Sequence, residues 1–210
     1  MSNIIKTIIA TVIATVIAGT LFSGCMQSTQ NIDIHNDKDA KAVMGLDYRD
    51  FQGAAQDMVQ SLVNSGAITK KDGGRYVLTI SRIVNDTMQH IDTDQLVKKI
   101  RVGLLRTGKV VVTTAVGIDG AEDKMSMKTR KELRGNDEFN QKTVAKKGQM
   151  IAPDLSLSGK IIQRNITIDK DTQQVEYYFQ MTLTDINTGL AFWEDEKVIG
   201  KRGSNSSVAW

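Results

Sequence analysis

Between Phe51 and Val63 the apolar residues Phe51, Ala54, Ala55, Met58, Val59, Leu62 and Val63 recur at three- and four-residue spacing. That spacing puts them on one side of a helix. Asp47 or Asp50 supplies a cap for the first turn, and Gly66 ends the helix. After a turn at Gly73-Gly74, Tyr76 to Val84 is rich in β-branched and apolar residues and reads as a strand, terminated at Asn85-Asp86-Thr87. Thr93 is placed to cap a second helix whose buried stripe is Leu96, Ile100, Leu104 and Leu105. Gly108 stops it, and Lys109 to Val116 follows as a second strand.

The pattern weakens over residues 120–148. Met125, Met127, Leu133, Phe139 and Val144 make no continuous stripe, which predicts one exposed helix, or two short ones parted near Gly135-Asn136. Leu155 to Ile168 then reads as a strand and Asp169-Lys170-Asp171 as a turn. From Val175 to Thr184, Val175, Tyr177, Phe179, Met181 and Leu183 alternate with polar neighbours, the signature of a half-buried strand. Asn187-Thr188-Gly189 is a hairpin turn, Leu190 to Ile199 returns beside its partner, and the last ten residues look frayed until Val208-Ala209-Trp210. Helices alternate with strands at the front and a meander closes the back. This order predicts an α/β fold, a mixed sheet flanked by helices in two or three layers.

The first 25 residues have a different pattern. Lys6 precedes a largely apolar, uncharged run from Thr7 to Phe22, then Ser23, Gly24 and Cys25, the chain's one cysteine. Residues 1–24 read as a lipoprotein signal peptide cut between Gly24 and Cys25, whose thiol takes the lipid. An ordinary secretory signal or a retained membrane anchor is the competing reading. Residues 25–45 read as a lipidated N-terminus and short flexible tether, 46–202 as one globular domain and 203–210 as a tail. About twenty tether residues reach at most ~70 Å when extended, and ~25 Å as a coil. With its single cysteine lipidated, the mature chain has no disulfide and no thiolate ligand or nucleophile.

Charge adds little beyond this. The net charge is +3, and the local basic excess from Lys124 to Lys147 is interleaved with acids, as on a solvated helix. It does not call for nucleic acid. His90, Asp92 and Asp94 could gather a cation, although carboxylates near a helix start are equally explained by capping. No phosphate loop or nucleophile elbow is present. Glycoside chemistry needs two opposed carboxylates. Glu176, Asp185, Glu194, Asp195 and Glu196 are available, but Glu176 falls on the outward phase of its strand and the others read as solvated edge charges around Trp193. Trp193 is better explained by packing than by recognition, and Tyr178 and Arg82 are candidate protein-contact residues. With no persuasive catalytic, cofactor or metal site, binding or activation is the expected work.

In order after the cysteine come Asp50-Phe51-Gln52-Gly53 with Met58-Val59, Ile83-Val84-Asn85-Asp86-Thr87, Ile91-Asp92-Thr93, and Gly108-Lys109-Val110. Glu132-Leu133-Arg134, Leu157-Ser158-Gly159-Lys160-Ile161, and Thr188-Gly189 leading to Trp193 follow. Together these stretches resemble the LpoB family of outer-membrane lipoproteins that activate class A penicillin-binding proteins. The resemblance implies a fold similar to the N-terminal domain of TolB. It also implies an outer-membrane, lipid-anchored, periplasm-facing regulator that is not an enzyme and needs no cofactor. Its partner would be a bifunctional peptidoglycan synthase, stimulated allosterically. Met26 after Cys25 suits outer-membrane sorting on that resemblance. The best-known members have a long proline-rich tether, whereas this chain has a single proline, Pro153. The alternative is an envelope scaffolding or assembly lipoprotein acting through homo- or hetero-oligomers, as in TolB-like relatives such as the curli secretion lipoprotein.

Overall fold

Helix α1 (Tyr48–Ser65) begins where two acids can cap it together. Asp47 accepts the backbone N–H groups of Arg49 and Asp50, and Asp50 reaches back to the N–H of Asp47 at 2.8 Å. The two residues that the pattern offered as alternatives therefore form one capping box. Gly66 ends the helix with φ of 77°, a left-handed value that favours glycine. The computed structural model describes residues 32–34 and 41–207, and the latter form a unit of their own. The expected signal peptide, the cleavage site at Gly24 and Cys25, and Val208-Ala209-Trp210 lie outside the described residues.

Strand β1 (Tyr76–Asp86) leads to helix α2 (Asp94–Arg106) and then to a three-residue strand β2 (Val110–Val112). Helix α3 (Lys124–Leu133) follows, then β3 (Leu155–Thr167), β4 (Thr172–Asp185) and β5 (Ala191–Ser204). The five strands lie in the order β2-β1-β3-β4-β5. β1 runs parallel to both neighbours, and β3, β4 and β5 form an antiparallel meander. The expected mixed α/β sheet is thus the observed one.

The buried strand residues share one face. Leu157 stands opposite Leu183, Ile161 opposite Phe179 and Leu183 opposite Trp193, all buried. On that face lie Phe51, Ala54, Ala55, Met58 and Leu62 of α1, and Leu96, Ile100 and Leu104 of α2. Phe51 meets Phe179 edge-on with ring centres 6.2 Å apart. Among the described residues the opposite face carries no helix in comparable contact, so two layers describe the domain. A bulge between Ile80 and Ile83 resets the alternation of β1, which is why Leu78, Ile80 and Ile83 all reach the core despite their spacing.

Several boundaries differ from the pattern. The second strand was expected to run from Lys109 to Val116, but it ends at Val112 because its third residue is the last that pairs with β1. Leu105 is 45% exposed and leaves the stripe of α2 to Leu96, Ile100 and Leu104. Thr93 precedes α2 but makes no capping bond with its side chain; Asp92 instead accepts the N–H of Asp94 at 3.0 Å. The region expected to fray is strand through Ser204, held by pairing to β4 as far as Thr172. Met44, within the expected tether, is buried.

The way the chain enters the domain is fixed by polar groups. Lys201 pairs with Asp50, both side chains well buried, and donates to the carbonyl of Gly45 at 2.7 Å. Tyr177 donates to the Met44 carbonyl at 3.0 Å and accepts from Gln89 at 3.1 Å. Gln89 also accepts the N–H of Leu46. Burial, with the nearby Asp50 charge, pushes the Tyr177 hydroxyl up to about 12.

Candidate interaction surface

Residues 113–153 leave the sheet after β2 and return at β3, and none of them is buried. The excursion is organised by local polar bonds. The N–H of Thr113 donates to the Leu78 carbonyl at 2.9 Å, and the N–H of Asp123 to the Thr114 carbonyl at 3.1 Å, which closes a loop. Inside that loop the N–H of Gly120 turns back onto the Gly117 carbonyl. A Cβ on Gly117 would stand 2.8 Å from the Gly120 carbonyl oxygen, so this turn requires glycine there.

Two ion pairs fasten the loop to the domain. Arg101 of α2 holds Glu122 at 2.6 Å, and Arg82, at the β1 bulge, holds Asp119 at 3.1 Å. Between them opens a cleft of about 520 Å³ lined by β1, the first half of α2 and the loop. Cations and carboxylates share its walls: Arg82, Lys98, Arg101 and Lys124 face Asp94, Asp119 and Glu122. The Arg82 pair is mostly solvent-exposed and holds the loop only weakly.

Helix α3 is capped by Asp123, which accepts the N–H of Ser126 at 3.0 Å, and has no buried residue. This agrees with the expectation of an exposed helix. Beyond it, the Gln141 side chain donates to the carbonyls of Leu133, Asn136 and Phe139 and accepts the N–H of Gly135. That one amide holds residues 133–141 in place of a second helix. Ile118, Met125, Phe139 and Ile151 are exposed here, with Met125 at 70%. The basic side chains of Lys124, Lys128, Lys131 and Lys146 in the same segment are exposed too. Apolar groups among cations, on backbone held by local bonds, suit contact with another macromolecule.

The other candidates scatter. His90 is exposed in the loop before α2, and among the described residues no cluster of His, Cys, Asp and Glu could hold a metal ion. Asp92 acts as a turn acceptor beside Asp94. Glu176 lies on the open face, as expected, where Tyr178 and Gln174 donate to it. Those bonds hold its carboxyl below the usual range, and the same bond raises Tyr178. Glu194 and Glu196 share that face and accept from Thr182 and Gln180 across the strands. Asp195 turns the other way and accepts from Ser61, whose hydroxyl also accepts the indole N–H of Trp193 at 3.3 Å. Trp193 is 8% exposed and belongs to the core, and Asp185 holds the hairpin through Thr188. Arg82 sits on the cleft and Tyr178 on the open face, so the two candidate contact residues are not brought together.

The excursion carried no sequence signal beyond its weak periodicity; exposed apolar residues inside a charged segment were the one available clue. Among the described residues no helix is long and apolar enough to cross a membrane.

Residues 50–199 match the family model of the peptidoglycan-synthase activator LpoB. Among solved structures, the LpoB C-terminal domain from Salmonella enterica aligns at 15% identity over 71% of this chain and 98% of that one, with a TM-score of 0.44. The Escherichia coli LpoB C-terminal domain aligns at 15% identity over the same shares, with a TM-score of 0.42. An NMR structure of E. coli LpoB aligns at 14% identity over 85% of this chain and 80% of that one, with a TM-score of 0.41. No curated protein matches the sequence.

Proposed function

The chain belongs to the LpoB family of peptidoglycan-synthase activators, and from that premise we propose that it binds a class A penicillin-binding protein and stimulates it allosterically. The observation that carries this reading is the span of the family match, which runs from α1 into β5 and includes the whole excursion. The surface of residues 113–153 is where the synthase docks. Ile118 and Met125 offer apolar contact, and the cations around them select an acidic or mixed-charge patch.

Stimulation is then a coupling free energy between this contact and the synthase's glycan-polymerising site, with no group of this chain entering the reaction. Cys25 carries the lipid after cleavage beside Gly24, and holds the domain at the periplasmic side of the outer membrane. The short tether keeps the domain near that membrane, so the synthase must supply much of the reach.

The test is glycan polymerisation by the purified class A synthase of the same organism, with and without residues 41–210. Faster polymerisation with a saturable complex is the expected result. No acceleration and no complex, with both proteins folded, would sink this reading. Replacing both Ile118 and Met125 by Ser should weaken the complex at least about tenfold without unfolding the domain. Labelling with radioactive palmitate, lost in Cys25→Ser, checks the anchor separately.

A further inference from the structure

The two edges of the sheet are unlike. β2 has three residues, whereas β5 has 14 and pairs on one side only among the described residues. Beyond β4 the N–H of Asn205 continues the ladder by donating to the Asp171 carbonyl, so odd-numbered residues of β5 face β4. Glu194, Glu196, Val198, Gly200 and Arg202 therefore turn their backbone groups to the free edge. Consistently, the Glu196 N–H is taken by the side chain of Asp195 at 2.7 Å and not by β4, a local bond that pairing along this edge would replace.

Such an edge is usually guarded by charge, and β5 is charged, but its charges are ordered. Acids occupy Glu194 to Glu196 in its first half, and Lys201 and Arg202 stand in its second. We propose that β5 pairs antiparallel with β5 of a second copy, about a two-fold axis at Val198, making one continuous sheet.

The register follows from charge. With Val198 opposite itself, Glu194 faces Arg202 and Asp195 faces Lys201, each pair occurring twice, and no like charges meet. Centring on Lys197 or on Glu196 sets that residue against itself, and centring on Ile199 sets Lys197 against Lys201. Centring on Gly200 opposes no charges at all. Val198 is 44% exposed and meets its own copy at the axis. Glu194 and Arg202 are exposed on the open face, so their pairing needs no change in the core. Asp195 and Lys201 keep their bonds to Ser61 and Asp50 and contribute through their charge alone. The dimer is independent of synthase activation, which needs only the excursion.

Residues 41–210 hold the whole described core and suit the experiment. Sedimentation equilibrium from micromolar to millimolar concentration should show a monomer–dimer equilibrium. Glu194→Arg or Arg202→Glu alone should raise the dissociation constant at least about tenfold, and the two together should restore it. Circular dichroism checks that each variant is folded. Val198→Cys gives an independent reading, since directly opposed residues of a hydrogen-bonded pair lie ~5.5 Å apart at Cα, within disulfide range. Residues 41–210 contain no other cysteine, so a covalent dimer on oxidation reports this axis. A protein that stays monomeric throughout overturns the proposal. So does a dimer indifferent to both charge reversals, or one that Val198→Cys fails to cross-link.

Discussion

The meander β3–β4–β5 with α1 and the excursion from 113 to 153 both carry charges of either sign, yet their backbones are held by different forces. In β4 apolar residues alternate with polar ones, so burial of Val175, Tyr177, Phe179, Met181 and Leu183 fixes where Glu176 and Gln180 stand. In the excursion no residue is buried, and Gln141, Asp123 and a few ion pairs do the holding. A region held by burial is stable and unresponsive. One held by exposed polar bonds opens at low cost and can adapt to a partner.

That contrast breaks most sharply at the core. Phe179→Ala removes the ring that meets Phe51 edge-on and should cost about 3–5 kcal/mol in urea unfolding. Lys201→Met strands the largely buried Asp50 carboxylate and should cost about 3 kcal/mol; replacing Asp50 by Leu in the same chain should return part of it. Gly159→Ala is a smaller lesion, about 1–3 kcal/mol, because its Cβ would stand 2.8 Å from the Gln180 carbonyl oxygen on β4. A loss below 0.5 kcal/mol there would mean that β3 and β4 part more easily than their pairing implies.

Alkali should act on the meander too. Tyr177 is raised from 10.0 to about 12, so the folded state holds its proton more tightly than the unfolded chain does. Its contribution is complete below pH 10.0 and is lost as pH rises towards about 12. Tyr177→Phe should be less stable at neutral pH and should flatten that alkaline decline, as read by denaturation at stepped pH. The smallest effect on stability belongs to the excursion. Met125→Ser should change it by no more than about 0.5 kcal/mol while weakening synthase stimulation, and amides of residues 124–148 should exchange hydrogen faster than those of β4.

Periodicity alone located α1, α2, β1 and the meander, because each buries one face and a one-residue error would turn that face outward. It overextended β2, since Thr114 to Val116 continues the composition of a strand but lies beyond the last bond to β1, from Thr113 to Leu78. It missed the bulge in β1 for a related reason: the extra residue is set by pairing with β3, which leaves no local mark. The expected lipid site at Cys25 rests on its motif alone and lies outside the described residues, and the surface of 113–153 was legible only as a weakness of pattern.

Local order in the sequence thus decided which residues turn inward, the capping at Asp47 and Asp50, the turns at Gly66 and Gly189, and the family. Which strand ends at an edge, which face stays open, and which charges are neutralised from far along the chain were decided by packing. Asp50 meets Lys201, Tyr177 meets Met44, and Arg101 meets Glu122 only once the sheet has formed. Burial preference is a property of each side chain and repeats with the period of its element. Partner identity depends on distances between elements, and no local period encodes them.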